Sequence, residues 1–221
     1  MKYVAQALLV AGVVVSFGSH ASIVTFETAP SAASPQPDAL AYRNVVDQAL
    51  ALPGARSATL ALFDNASNQT VFGGSPTNIA FRFTIEFDVS AADAGNWGLR
   101  AGVDFGHGGA VFLDGVAIGF NPNDMWWAGS YANASQSFQF PSLSLAAGDH
   151  TLQIYGLEDC CDGGQQAQFS IKGRQYTTFG NNDGLAPSAV PEPATYALML
   201  AGLGAVGYMV QRRRLQALRC S

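Results

Sequence analysis

A chain of 221 residues with 48% hydrophobic and only 12% charged residues carries a formal net charge of −5. The charge is unevenly placed: residues 22–189 hold 15 Asp and Glu against 6 Lys and Arg, while Lys2 and four arginines sit at the two ends. So acidic a middle has no basic patch to release counterions from a phosphate backbone, which excludes nucleic acid as a partner, and its roughly 170 residues suffice for one domain with its own core.

The N-terminus predicts a secretory signal helix at 1–21. Lys2 gives the positive start, residues 5–17 the apolar core, and Ser19-His20-Ala21 the small residues that signal peptidase needs, with cleavage after Ala21. An uncleaved anchor is the alternative, but the apolar core is short for a span.

Residues 23–26 then predict an edge strand, and the Ser/Ala/Pro-rich stretch 30–37 a linker. Asp38 can N-cap a helix running to about Leu52, with Leu40, Val46, Ala49 and Leu50 near one face, until Pro53-Gly54 stops it. It is the one helix expected between the two termini. From Ser57 onward the pattern is β. Residues 58–63 predict a strand. In residues 79–89, Ile79, Phe81, Phe83, Ile85, Phe87 and Val89 alternate with more polar neighbours, which puts six apolar side chains on one sheet face. Residues 97–105 alternate again. Residues 111–120 are broken by Asp114-Gly115, a pair that favours a type I′ hairpin turn. Residues 138–145, 151–157 and 167–172 supply further strands. Short strands with Gly-rich turns at this spacing predict a mainly β fold, a β-sandwich over 22–179, followed by a flexible linker at 180–189.

Within that domain the chemistry-bearing residues are few. Cys160-Cys161-Asp162-Gly163 is the most unusual stretch. Adjacent cysteines admit three readings: a strained vicinal disulfide favoured by an oxidising exterior, two reduced structural thiols, or a metal or redox site, for which no second Cys pair completes a tetrahedral set. Glu158, Asp159 and Asp162 gather around the cysteines, and Asp104, Asp114 and Asp124 come from other loops. Such loops can supply the six to eight oxygens that calcium takes, or serve as turn residues. Calcium is thus the candidate cofactor, and no motif demands any other. Met125-Trp126-Trp127 with Tyr131 forms an aromatic loop suited either to stacking on sugars or to filling the core. His107 and His150 each lie in a turn beside Gly, with no Gly-x-Ser-x-Gly and no His-Glu-x-x-His nearby. Gly106-His107-Gly108-Gly109 falls in a β context and not before a helix, so phosphate cradling is not expected.

Two stretches of the middle carry a resemblance. Val103-Asp104-Phe105 leading to Asp114-Gly115, and Leu145-Ala146-Ala147-Gly148-Asp149-His150-Thr151-Leu152-Gln153-Ile154-Tyr155, are similar to the turn and strand pattern of PA14-type domains over about residues 80–172. The resemblance implies a PA14-like β-sandwich of a kind often attached to surface proteins and often carbohydrate-binding. In its glycan-binding members two adjacent Asp residues hold calcium; here Asp104 is followed by Phe105. Cys160-Cys161-Asp162-Gly163 itself resembles the signature of a group of sorted surface proteins named for Cys-Cys-Xaa-Gly.

The tail is the clearest signal. Pro191-Glu192-Pro193 precedes an uncharged apolar run, 194–210, and Arg212-Arg213-Arg214 follows it. At about 1.5 Å per residue the run reaches across most of a bilayer core as a helix, and the arginines should stay cytoplasmic. The three parts in this order closely resemble the PEP-CTERM sorting signal of exosortase substrates, over 190–214, with a cytoplasmic stub at 215–221. The resemblance implies a transmembrane helix that holds the precursor in the inner membrane, processing by signal peptidase and exosortase, and a product at the cell surface or released. Together these readings predict an exported, non-enzymatic surface or matrix protein associated with carbohydrate, such as the cell's exopolysaccharide. The candidate ligand contacts are Asp104, Asp114, Asp124, Trp126, Trp127, Asp159 and Asp162. The alternatives are a polysaccharide hydrolase with carboxylates paired from Asp104, Asp114, Glu158 and Asp162, and a purely structural surface protein with no ligand.

Overall fold

The computed structural model describes residues 22–185 and, in a second unit that begins at Ser188, the helical Gly202 and Leu203. Apart from these two positions, the expected signal helix at 1–21, the sorting tail at 190–214 and the stub lie outside the described residues. No helix among the described residues is long and apolar enough to cross a membrane.

The chain runs β1 (Ile23–Pro30), α1 (Ala39–Leu50), β2 (Arg56–Leu60), α2 (Asn68–Phe72), β3 (Ile79–Val89), β4 (Gly95–Gly102), β5 (Asp104–Phe105), β6 (Gly109–Leu113) and β7 (Val116–Asn121). It continues through β8 (Met125–Trp126), a 3-10 turn (Ala134–Gln136), β9 (Ser137–Leu145), β10 (Gly148–Glu158), β11 (Gln166–Ile171) and β12 (Thr177–Thr178). Six strands form one antiparallel sheet in the order β2-β1-β3-β10-β6-β7, and four form a second in the order β12-β11-β4-β9. Strands β5 and β8 form a separate ribbon.

Period two on β3 does what the sequence requires. Ile79, Phe81, Phe83, Ile85, Phe87 and Val89 are all buried in the inter-sheet core, each worth about 2 kcal/mol in burial. Phe87 meets Trp97 of β4 at 5.7 Å between centroids, and Trp97 meets Phe169 of β11 at 5.5 Å, so the two sheets are joined through stacked rings. The other face of the larger sheet carries α1. Ala29, Ala80 and Ala110 are small enough to let Tyr42, Val46 and Ala49 of the helix pack against it. On that face Arg82 bonds both oxygens of Glu27, at 2.6 and 2.8 Å, and reaches Asp47 of α1 at 2.7 Å, clamping helix to sheet.

Several local expectations shift. Asp38 does cap α1 through Ala41 N, but the buried stripe is Ala39, Tyr42, Val46 and Ala49, and Leu40 is left exposed. β1 is not an edge strand: β2 pairs along its outer side and takes the edge. The strand expected over 97–105 breaks after Gly102, because Trp127 N donates to Val103 O at 3.1 Å and draws the chain into the β5–β8 ribbon. A second helix, α2, was not expected. Ser67 and Thr70 form a reciprocal capping box and Gly73 ends the helix in the left-handed region. Asp114-Gly115 makes the expected tight hairpin, with φ of 51° and 77°. The stretch after β12 lies against the sandwich as far as Leu185, which is buried, with Asp183 accepting from Gly180 N and Leu185 N.

Candidate functional site

The β5–β8 ribbon and the end of β10 build a cleft of about 590 Å³ lined by Asp104, Gly106, Asp124, Trp126, Glu158, Asp159, Cys160 and Cys161. Each element has a local reason. Asp104 pairs across the ribbon with Trp126, which sets carboxylate and indole on neighbouring strands. Asp124 precedes β8. Glu158 ends β10, whose long pairing with β3 fixes it. Residues 159–161 turn away from the sheet, and Cys161 adopts φ of 74°.

Of the residues expected from the sequence, the cleft brings together Asp104, Asp124, Trp126, Asp159 and both cysteines. It leaves out Asp114, Asp162 and Trp127. Asp114 lies at the opposite end of β6, where it accepts from Thr151 N and meets His150 Nδ1 at 2.7 Å. Asp162 is buried under α2, accepting from Asn68 N at 3.1 Å and Gln69 N at 2.6 Å. The two tryptophans divide the two roles weighed for them. Trp126 is 66% exposed, whereas Trp127 is buried and tilts against Tyr131. Glu158 stands out more in the structure than in the sequence. It is 2% exposed, and its carboxylate accepts from Gly106 N at 2.6 Å and Cys160 N at 2.7 Å. Gly106 is needed here, because a Cβ would press on the Glu158 and Asp159 carboxylates. The one sequence signal for this cradle was the Gly-rich run after Asp104. Both cysteines are free and exposed.

The cleft is acidic, and the lining residues include no Lys or Arg to neutralise it. Burial pushes the Asp104 carboxyl up to about 6; the Gly163 N–H opposes the shift and the charges of Asp124 and Asp162 add to it. Burial also pushes Glu158 up to about 7, against the N–H groups of Gly106 and Cys160 and with the charges of Asp104 and Asp159. Both folded-state values lie above the unfolded ones. Their contribution to stability is therefore complete below about pH 4 and is lost as pH rises through about 6 and 7. With divalent ions chelated, the full chain in mild detergent is expected to melt higher at about pH 5 than at about pH 8. Asp104→Asn is expected to remove about 1 kcal/mol of that difference, after allowing for screening on the open side of the cleft. Thermal melts at the two pH values check this, and an unchanged pH slope in the variant would refute it. Chemically, the same carboxylates can hold a cation, and Trp126 offers a flat apolar face beside them.

Residues 189–214 match the sequence model of the PEP-CTERM protein-sorting motif. No curated protein matches the chain. Among solved structures, it is similar to a PA14 sugar-binding domain from an RTX adhesin, at 13% identity and a TM-score of 0.51, over 75% of this chain and 99% of that one. It is also similar to an anti-sigma factor domain-containing protein from Clostridium clariflavum, at 12% identity and a TM-score of 0.48, over 84% of this chain and 53% of that one. A further similarity is to the epithelial adhesin 9 A domain from Candida glabrata in complex with Galβ1-4GlcNAc, at 7% identity and a TM-score of 0.46, over 79% and 93%. The chain thus carries a PEP-CTERM protein-sorting motif at its C-terminal end and, ahead of it in sequence, a PA14-like β-sandwich.

Proposed function

We propose that the protein is an exported, exosortase-sorted surface or matrix protein whose sandwich is a non-enzymatic carbohydrate-binding module. The sorting motif supports the address: a precursor held in the inner membrane, processed by signal peptidase and exosortase, and delivered to the cell surface or released. The likeness to a PA14 domain that binds sugar supports the class of ligand. The observation that carries the reading is Trp126, a 66% exposed indole on the wall of a cleft rich in carboxylate acceptors. Carboxylates accept from sugar hydroxyls while an aromatic face covers the apolar face of the ring.

Calorimetric titration of the full chain in mild detergent with the producing cell's own exopolysaccharide, with and without calcium, tests it. Saturable binding is expected, and Trp126→Ala is expected to weaken it by about 2 kcal/mol, near thirty-fold. No heat in either condition overturns the reading. A second reading, polysaccharide hydrolysis, draws on the raised Asp104 and Glu158 carboxyls, since a proton held near neutral pH suits a general acid. New reducing ends on incubation with the same polymer would favour it.

A further inference from the structure

We infer that His107, Glu158, Asp159 and Cys160 form a binding site for a divalent cation of the zinc class at the lip of the cleft. This does not rest on the saccharide reading. Ligand atoms of Glu158, Asp159 and Cys160 all lie within 4.8 Å of one another. The sequence offered no second cysteine pair to complete a tetrahedral set; the fold instead sets two carboxylates beside Cys160, with His107 Nε2 3.5 Å from Asp159 Oδ2.

The imidazole gives the independent observation. His107 Nδ1 is 2.8 Å from Ala33 O, and a carbonyl can only accept, so Nδ1 carries the hydrogen. In the neutral ring Nε2 is then a bare lone pair, and it faces Asp159 Oδ2 at 3.5 Å. The gap is longer than a normal N–H···O bond, so Nε2 and the carboxylate oxygen stand side by side without being tightly bonded to each other. Ligands bound at about 2.0–2.1 Å in a tetrahedron stand about 3.3 Å apart, close to this separation. A ring N–H donated to a backbone carbonyl is also the usual way in which a metal-binding imidazole is oriented. His107 is fixed further through its backbone, since Tyr42 OH donates to its carbonyl at 2.7 Å and its N–H donates to Leu157 O at 3.0 Å. The second His–Asp pair of the domain makes the contrast. His150 Nδ1 lies 2.7 Å from Asp114, a direct hydrogen bond, and its Nε2 donates to Ala146 O at 3.0 Å.

The remaining donors are equally prepared. Glu158 is held by two backbone N–H groups and keeps lone pairs for an ion. Asp159 and Cys160 are exposed, so their side chains are free to turn toward an ion. On binding, the sulfur–metal bond forms as the Cys160 thiol releases its proton to solvent, with no change of oxidation state. A sulfur and an imidazole nitrogen beside two carboxylates select zinc, cobalt or cadmium over calcium, which takes oxygen ligands.

The test is titration with cobalt(II) of the full chain in mild detergent, kept reduced and carrying Cys220→Ser so that the third cysteine is silent. One cobalt per chain is expected, with the intense visible bands of a four-coordinate ion and a thiolate charge-transfer band, displaced by zinc and not by excess calcium. Cys160→Ser and His107→Gln are each expected to weaken binding at least about ten-fold, with unchanged circular dichroism. Cys161→Ser and Asp114→Asn are expected to leave it as it was. Absence of the bands, equal competition by calcium, or the same affinity in His107→Gln overturns the site. An equal loss in Cys161→Ser overturns the choice of Cys160 as the sulfur donor.

Discussion

Asp162→Ala is expected to destabilise the domain by about 3 kcal/mol, and Asp162→Asn by clearly less. The sequence offers Asp162 either as a ligand or as a turn residue, one more acid beside two cysteines. In the fold it is buried, and its two oxygens accept from the N–H groups of Asn68 and Gln69 at 3.1 and 2.6 Å, the first two residues of α2. Those donors have no partner within a helix, and Ser67 is already committed to Thr70 through the capping box. Alanine would leave the buried Asn68 N–H without an acceptor and remove two charge-assisted bonds at once, whereas asparagine keeps one acceptor oxygen. Because Asp162 directly follows Cys161, and its own N–H donates to Pro76 O at 3.1 Å, the cysteine turn should loosen with it. Urea unfolding gives the stability and amide exchange over 158–164 gives the loosening. A loss of under about 0.5 kcal/mol in Asp162→Ala would mean that α2 does not depend on this contact.

The fate of Asp162 shows what the sequence could carry and what it could not. Period two reads the inward face of β3 residue by residue because that pattern is local, and Asp114-Gly115 announces its own turn. The cap of α1 is equally local. The cleft is different. Asp104, Asp124 and Glu158 come from three separate elements, and only the pairing of β5 with β8 and of β3 with β10 brings them together. Asp114-Gly115 names a turn but not the partners of its carboxylate, and nothing near Asp162 marks it as buried. Their partners (Thr151 N for the first, Asn68 N and Gln69 N for the second) lie dozens of residues away. His107 is the extreme case. As a turn residue beside glycine it invited no role, and its significance rests on Ala33 O, 74 residues earlier. Adjacent Trp126 and Trp127 show the same limit at the smallest scale, because a strand turns consecutive side chains to opposite sides and the sequence does not say which side is wet.

Gly102→Ala is expected to destabilise the domain by about 2–3 kcal/mol and to weaken saccharide binding, although Gly102 does not line the cleft. Gly102 ends β4, and the indole of Trp127 lies directly over it, so close that a methyl at this position would overlap the ring. Trp127 cannot swing aside cheaply. Its N–H is bonded to Val103 O, its ring is buried against Tyr131, and Gly102 N donates to the Tyr131 hydroxyl at 3.2 Å. Its indole nitrogen is buried without a hydrogen-bond partner among the described residues, so the ring itself is held by packing. If the ring moves outward, it carries the β8 backbone with it, and β8 bears Trp126 and is paired to Asp104. The displacement therefore passes from a core contact into the cleft wall. Thermal melting measures the first effect, and calorimetry on the folded fraction measures the second. The sharper comparison is with Gly115→Ala. Gly115 has open space around its Cβ position and lies at the far hairpin, so its cost arises from its φ of 77° alone. Gly115→Ala should lose stability without losing affinity. If both variants lose affinity in proportion to stability, the cleft is coupled only to global unfolding, and Trp127 is not the element that positions Trp126.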